Sequence, residues 1–207
     1  MSEEIVKRPF AWLFFAGALL SVPLMATLHR TPAQSLPRFA ELPAFSLVDE
    51  QGKPFSRHHL DGHVWIVDFV FTTCSSICPR LTTEMQRLTV KSSEEADLRF
   101  VSISVDPEHD SPEKLRAYGQ SFGADFKRWR WLTGSATEIE NTVVSGFKMA
   151  LSKEPIAGTD TFNILHSSKF VLVDGRGFLR GFYDSNSPTE RDTLLHDART
   201  LIEKGGF

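Results

Sequence analysis

The sequence predicts a mixed α/β domain preceded by an apolar segment near the N-terminus, and three observations support this fold class. Residues 10–28 contain no charged side chain. The run VWIVDFVF at 64–71 is almost entirely apolar, which is typical of a strand buried on both faces of a sheet. Strand-like and helix-like segments then alternate to the end of the chain. With 207 residues, 41% hydrophobic and 24% charged, the chain has the composition of one globular domain with an appendage.

The apolar segment is long enough to cross a membrane. Residues 10–28, FAWLFFAGALLSVPLMATL, would span a hydrocarbon core of about 30 Å as a helix. The alternative is a cleaved signal peptide, whose apolar region usually has about 7 to 15 residues. Ala16 and Ala18, the small residues that a cleavage site would need, lie inside the run. We therefore predict an uncleaved transmembrane anchor.

Composition divides the rest of the chain into a flank, a tether and one domain. Residues 1–9 form an N-terminal flank, and residues 29–43 contain three prolines that predict an extended tether. Residues 44–207 contain no second boundary and are predicted to form one domain. Basic residues lie on both sides of the anchor, so their distribution does not decide its orientation.

Periodicity, turn and capping signals predict the elements of the domain. Strands are predicted at 44–48, near Phe55, and at 64–71, 98–105, 129–132, 169–173 and 178–182. Helices are predicted to begin near Pro79, Ser111, Ser135 and Ser187. This order predicts a thioredoxin-like fold, in which a mixed central sheet is flanked by helices and sites form at the carboxyl ends of strands.

Charge and cysteine content exclude several classes of protein. The chain has 23 Lys and Arg against 26 Asp and Glu, so it lacks the basic excess that would bind phosphates, and we predict no nucleic-acid partner. Two cysteines are too few for a disulfide-rich miniprotein or an all-cysteine zinc site. They are sufficient for one disulfide or for part of a mixed metal site.

The cysteine pair in TTCSSICPRL lies between the predicted buried strand and a helix. Cys74 and Cys78 are separated by three residues. A thiol at a helix N-terminus is favoured as thiolate by the helix dipole and the unpaired N–H groups. Thioredoxin-type redox motifs have two intervening residues, whereas this wider spacing suits two sulfurs around a soft metal ion and still allows a disulfide. The alternative is two buried, inert cysteines, which a strand-to-helix turn disfavours.

A third metal ligand is sought among the seven histidines. We interpret His58, His59 and His63 as a polar surface loop rather than a metal patch. His166 lies just ahead of the strand predicted at 169–173 and is a candidate ligand. Two thiolates with one imidazole suit Cu(I), or Cu(II) with an added weak ligand. Zinc accepts the same ligands.

Three carboxylates near the predicted site have structural and functional interpretations. Asp106 follows the strand at 98–105, and we predict that it accepts a hydrogen bond beside the metal ligands. Either Asp110 or Ser111 is expected to cap the next helix, and for Asp110 we favour this structural role. Asp68 is either hydrogen-bonded at an exposed strand position, which we favour, or a proton acceptor near the cysteines.

The segments FVFTTCSSICPRL and SISVDPEHDSPEKL, followed by His166 ahead of FVLVDGRG, together resemble the Sco (SenC) family of membrane-anchored copper chaperones. The resemblance covers about residues 40–205. It implies one copper ion held by Cys74, Cys78 and His166, with Asp106 in the family's Asp-Pro loop. It also implies a thioredoxin-like fold and a role in assembling the dinuclear copper centre of cytochrome c oxidase.

Two segments depart from the family pattern. Ser75 stands where many members have proline, which predicts a more mobile loop around the cysteines. The segment at 148–165, before the candidate histidine, also looks divergent.

Three functions are consistent with these residues. The leading hypothesis is a copper metallochaperone, which releases its metal by ligand exchange. The second is a thiol-disulfide oxidoreductase that reduces the cysteines of the copper acceptor. The third is a peroxiredoxin-like peroxidase or redox sensor, which needs a thiolate near a threonine and an arginine, such as Thr72, Thr73 and Arg80. Copper binding should need His166, whereas disulfide exchange should not.

The predicted location and partners follow from the anchor and the resemblance. A membrane-anchored domain with an oxidisable cysteine pair is expected to face the periplasm or an equivalent extracytoplasmic space from the inner membrane. The expected partner is the copper-centre subunit of cytochrome c oxidase or another copper chaperone.

Overall fold

The structure is a computed structural model that describes residues 36–149, 153–155, 162–164 and 168–205. The predicted flank, the predicted anchor and His166 lie outside these residues. Within the described ranges, no helix combines the length and the apolar character that a membrane crossing requires. The compact unit that contains the sheet begins at Leu36.

Two sheets are present in the described residues. The strands in chain order are β1 (Ala40–Glu41), β2 (Ser46–Asp49), β3 (Pro54–Ser56), β4 (Val64–Val70), β5 (Leu98–Ser104), β6 (Trp129–Thr133), β7 (Lys153–Pro155), β8 (Phe162–Ile164), β9 (Lys169–Val173) and β10 (Phe178–Asp184). The main sheet has the order β1-β10-β9-β4-β5-β6-β2-β3, and β7 pairs with β8. Strands β4, β5 and β6 are parallel, and the strands on either side of them are antiparallel.

Four α-helices occur in the described ranges. They are α1 (Ile77–Lys91), α2 (Pro112–Ser121), α3 (Ala136–Glu140) and α4 (Pro188–Glu203); α3 continues as a π-helix over Asn141–Gly146. The hydroxyls of Ser111, Ser135 and Ser187 each accept a backbone N–H in the first turn of the helix that follows, as the sequence predicts. The helices at these three positions are therefore started by local sequence.

The main sheet separates two hydrophobic cores. Helices α1 and α4 cover one face, where Leu81 and Leu194 pack with Ile66. Helix α3 and the π-helix cover the other face, where Val143 packs with Val67. Strand β4 is buried along its whole length because it lies between these layers. The predicted mixed α/β fold, with thioredoxin-like layers, is confirmed.

The second half of the predicted tether lies against the sheet. Strand β1 pairs with β10 at the sheet edge. The buried Arg180 guanidinium donates to the backbone carbonyls of Leu36 (2.6 Å) and Pro37 (2.9 Å), and it forms an ion pair with Asp174 at 2.7 Å. Residues 36–43 are thus held by backbone pairing and by one buried cation.

We expect Arg180→Met to lower the free energy of unfolding by about 3 kcal/mol, because it leaves the buried Asp174 charge unpaired. Denaturant unfolding of the full chain measures the loss. Lys91→Met, which breaks an ion pair exposed on both sides, is the control and should change stability by less than about 0.5 kcal/mol. Equal effects of the two substitutions would show that the buried clamp adds nothing.

Candidate functional site

The two cysteines lie at the carboxyl end of β4, where the chain turns into α1. The backbone N–H of Cys74 donates to the Phe71 carbonyl at 3.2 Å, which closes the turn. Cys78 is the second residue of α1. We call residues 71–76 the cysteine loop. Both cysteines are unpaired and nearly covered, with 7% of Cys74 and 2% of Cys78 exposed.

The sulfur of Cys74 takes the position of a helix cap. Ser76, the residue before α1, makes no side-chain capping bond. Instead the backbone N–H of Cys78 donates to the Sγ of Cys74 at 3.3 Å, and the Ser76 hydroxyl lies 3.9 Å from the same sulfur. The first N–H groups of a helix lack partners within the helix, so the fold directs one of them at a sulfur atom.

The two thiols differ in acidity. Burial is the largest single influence on the pKa of Cys74 and raises it, but hydrogen bonds from Cys78 and Ser76 together outweigh it, so this pKa lies below its ordinary value. Burial, followed by the hydrogen bond of its thiol to Cys74, raises the pKa of Cys78 well above its ordinary value. Cys74 is therefore the thiol of the pair that loses its proton more readily.

Asp110 has a different role from the one favoured on the sequence. The cap of α2 is Ser111, whose Oγ accepts the Lys114 N–H at 3.4 Å. The Asp110 carboxylate is fully buried and accepts the hydroxyls of Thr72 (2.5 Å) and Ser104 (2.6 Å). The sequence offered either Asp110 or Ser111 as the cap, and the structure assigns the cap to Ser111.

Asp106 pairs with a neighbour in its own loop. Both of its carboxylate oxygens lie 2.9 to 3.0 Å from Nδ1 of the exposed His109, and its hydrogen bond and charge raise the pKa of that histidine. The backbone N–H of Asp106 donates to the Ser104 hydroxyl at 3.1 Å. We call residues 105–110 the Asp-Pro loop. The expected hydrogen bond from Asp106 to a metal ligand stays a prediction.

A family model decides the relationship of the chain to known proteins. The model of SCO1/SenC proteins matches residues 33–203. The chain belongs to the SCO1/SenC family.

Related proteins and structures agree with this assignment. The SCO1 protein homolog of Bacillus subtilis is 36% identical over 162 residues, which cover 77% of this chain and 82% of the homolog. BsSco, described as a member of the Sco family of cytochrome c oxidase assembly proteins with a disulfide switch, superposes with a TM-score of 0.68 at 35% identity, covering 81% of this chain and 95% of BsSco. Copper-bound ScoI of Arabidopsis thaliana superposes with a TM-score of 0.67 at 27% identity, covering 80% and 99%.

Asp68 of this SCO1/SenC chain is not at an exposed, hydrogen-bonded strand position, so the favoured interpretation was wrong. Its side chain is fully buried, and neither carboxylate oxygen has a hydrogen-bond partner among the described residues. Alternation along β4 directs it to the same face as Ile66 and Val70, which pack with both cysteines. The pKa of Asp68 is raised to about 7, because the effect of burial is larger than the opposing effect of the nearby Ser102.

Other buried polar groups lie on the cysteine side of the sheet. The hydroxyls of Thr82 and Tyr118 and the indole N–H of Trp131 have no hydrogen-bond partner among the described residues. The pKa of Tyr118 is raised to about 12, mainly by burial and also by charge on Cys78 and Asp68, while Thr82 opposes the rise. These charges act on Tyr118 because the groups are close together. The sequence did not single out Thr82, Tyr118 or Trp131, since each fits an ordinary core pattern.

A third metal ligand is absent from the described residues. No group of three potential ligand side chains occurs there, and His166 lies outside them, so its role stays a prediction. His58, His59 and His63 contact different neighbours, respectively an aspartate, a phenylalanine ring and another aspartate. They form a polar loop, as interpreted from the sequence.

The side chains that a peroxidase would need are not directed at the sulfur. Thr72 donates its hydroxyl to Asp110. Within the described residues, no hydrogen bond joins Cys74 to Thr73 or Arg80, and the side-chain contacts of its sulfur are with Cys78 and Ser76. The geometry gives no support to the peroxiredoxin-like alternative.

Asp68 should make the stability of the chain depend on pH. Its pKa is 3.8 in its ordinary state and about 7 in the folded protein, so the folded chain binds the extra proton between these values. The unfolding free energy should therefore fall as the pH rises from about 4 to about 7 and change little above that range.

The comparison of wild type with Asp68→Asn isolates this contribution. Because Asn is uncharged at every pH, the variant should gain stability relative to wild type as the pH rises, with the difference levelling off above about 7. Denaturant unfolding of the reduced full chain at pH 5 and pH 8 measures it. A difference between the two proteins that is independent of pH would contradict the assignment.

Proposed function

We propose that this SCO1/SenC chain is a membrane-anchored copper metallochaperone. It binds copper through Cys74, Cys78 and His166 and delivers it to the dinuclear copper centre of cytochrome c oxidase. The observation that carries the proposal is the pair of free thiols held side by side at the start of α1, with a helix N–H directed at one sulfur. Copper is the cargo of this site, which binds it and passes it on.

The donor atoms suit Cu(I). Thiolate sulfur is a soft ligand, and soft ligands select Cu(I) among the common biological metals. Cys74 is the more acidic of the two thiols, and both cysteines would lose their protons to the solvent or to a buffer base as the metal binds. His166 is proposed as the imidazole ligand on the strength of the family resemblance.

The position of the cysteines supports transfer of the metal to a partner. The cysteine loop lies at the carboxyl end of the central parallel strand, where sites of open α/β sheets form. A partner that approaches this edge can replace one protein ligand at a time, so that the metal is never released to water. The acceptor is proposed to be the copper-centre subunit of the oxidase or another copper chaperone.

The same sulfur pair supports a second candidate function, exchange of thiols for disulfides. The Cys74 thiolate would attack a partner disulfide, one partner thiol would leave, and Cys78 would displace the second partner thiol. The outcome is one Cys74–Cys78 disulfide and two partner thiols; one of their protons comes from Cys78 and the other is the proton that Cys74 gave to the solvent when it became a thiolate. The hydrogen bond from the Cys78 N–H to the Cys74 sulfur favours this reading, because it holds the two residues adjacent.

The anchor and the extracytoplasmic location remain part of the proposal. Residues 10–28 have the length and composition of one membrane-spanning helix. A domain that alternates between a dithiol and a disulfide is suited to an oxidising space such as the periplasm.

An anaerobic competition titration with a Cu(I) chelator tests the proposal on the reduced full chain in mild detergent. We expect one tightly bound Cu(I) per chain, lost in Cys74→Ser and weakened at least about tenfold in His166→Ala. His196→Ala, which alters an exposed histidine on α4, is the matched control and should bind as wild type does.

The two candidate functions separate on the same variants. If His166→Ala binds Cu(I) as wild type does, the ligand assignment is wrong. If wild type holds no Cu(I) against the chelator but exchanges its disulfide rapidly with a dithiol, the oxidoreductase is the correct function. Disulfide exchange should be equal in wild type and His166→Ala in either case.

A further inference from the structure

We propose that Asp110 is a positioning residue for Cys74: its buried carboxylate joins the cysteine loop to the Asp-Pro loop and makes the two loops behave as one unit. Asp110 is itself the last residue of the Asp-Pro loop and is fully buried. The inference about sulfur position concerns the metal-free chain, and only its copper readout rests on the proposed function.

The carboxylate holds the cysteine loop at Thr72. The Thr72 hydroxyl donates to Oδ1 of Asp110 at 2.5 Å, and the Thr72 backbone N–H lies 3.3 Å from Oδ1 and 3.1 Å from Oδ2. Thr72 immediately follows Phe71, whose carbonyl accepts the Cys74 N–H at 3.2 Å. A shift of Thr72 would therefore shift the turn that places the Cys74 sulfur at the start of α1.

The same carboxylate holds the Asp-Pro loop at its other end. The Ser104 hydroxyl donates to Oδ2 of Asp110 at 2.6 Å and accepts the Asp106 N–H at 3.1 Å. The Asp110 N–H donates to the Asp106 carbonyl at 3.0 Å, which closes the loop on itself. A continuous chain of hydrogen bonds thus runs from Asp106 through Ser104 and Asp110 to Thr72.

The sheet brings the two loops together. Strands β4 and β5 are parallel neighbours with Val70 opposite Ser104, so both loops leave the same edge of the sheet. The Val105 N–H donates to the Val70 carbonyl at 2.9 Å and extends the pairing past the end of β5. Asp110 then connects the loops beyond the point where the backbone pairing stops.

A carboxylate is the group that this position requires. It receives the hydroxyl and the backbone N–H of Thr72 and the hydroxyl of Ser104 at the end of β5, and an ionised carboxylate is an acceptor at both oxygens. The amide of asparagine would present its NH₂ group to at least one of these donors. Asp110→Asn therefore weakens the link with almost no change in size, because one of the donors loses its anionic acceptor.

A matched control is available at Asp174. This carboxylate is also buried and accepts the backbone N–H groups of Arg176 and Phe178, both at 3.0 Å, and the Arg180 guanidinium at 2.7 Å. It lies at the opposite edge of the sheet, since the preceding Val173 pairs with Trp65 near the start of β4. Asp174→Asn therefore lowers stability without contact to the cysteine loop.

The experiment measures two quantities on the full chain in mild detergent. The first is the equilibrium between the Cys74–Cys78 dithiol plus oxidised glutathione and the disulfide plus two glutathione thiols, in metal-free protein. The second is the Cu(I) affinity against a chelator. We expect Asp110→Asn to lower the first constant several-fold, because the two sulfurs are held together less well, and the second about tenfold. Asp174→Asn should leave both constants as in wild type.

A second pair of variants keeps the test decisive if Asp110→Asn does not fold. Thr72→Val removes only the hydroxyl that donates to Asp110, and it should shift both constants in the same direction, whereas Thr72→Ser should restore them. The inference is overturned if Asp110→Asn folds and has the wild-type constants. If Asp110→Asn does not fold, wild-type constants in Thr72→Val overturn it. Equal shifts in Asp110→Asn and Asp174→Asn also overturn it. If wild type binds no Cu(I), the proposed function fails, and the glutathione equilibrium still decides the role of Asp110.

Discussion

The interaction on which the site depends is the hydrogen bond from the first turn of α1 to the sulfur of Cys74. A helix leaves its first N–H groups without internal partners, and here the Cys78 N–H is paired with the Cys74 sulfur rather than with a serine or aspartate cap. One contact therefore starts the helix, favours the thiolate at Cys74 and holds the second cysteine beside the first. The same contact thus serves both the stability of the helix and the acidity of the thiol.

The surroundings of that contact differ between the sheet side and the loop side of the site. On the sheet side, Asp68, Thr82 and the half-buried Tyr118 carry polar atoms that lack hydrogen-bond partners in the described residues, and charge on the cysteines raises the pKa of Tyr118. On the loop side, Asp110 has its acceptor atoms filled by Thr72 and Ser104. The sheet side of the site is therefore sensitive to charge, whereas the loops are fixed by hydrogen bonds.

The sequence was sufficient for the fold and for the cysteines, but not for the contacts around them. The apolar run of β4 and the serine caps predict their elements because the signals are local. The roles of Asp68 and Asp110 depend on the order and register of the strands, which for example place Ser104 opposite Val70. The sequence pattern of a single chain does not contain this order or register. The favoured interpretation of Asp68 failed for this reason: an acidic residue in a strand suggests exposure, and only the covering helices reveal its burial.

The central claim is that the Cys74 and Cys78 sulfurs bind one copper ion together with an imidazole. X-ray absorption spectroscopy of the Cu(I)-loaded full chain tests it most directly, because the fine structure counts sulfur and nitrogen neighbours of the metal. We expect two sulfur neighbours and one imidazole nitrogen per copper, with the nitrogen lost in His166→Ala and one sulfur lost in Cys78→Ser. A copper ion without sulfur neighbours, or one whose surroundings are the same in all three proteins, would contradict it.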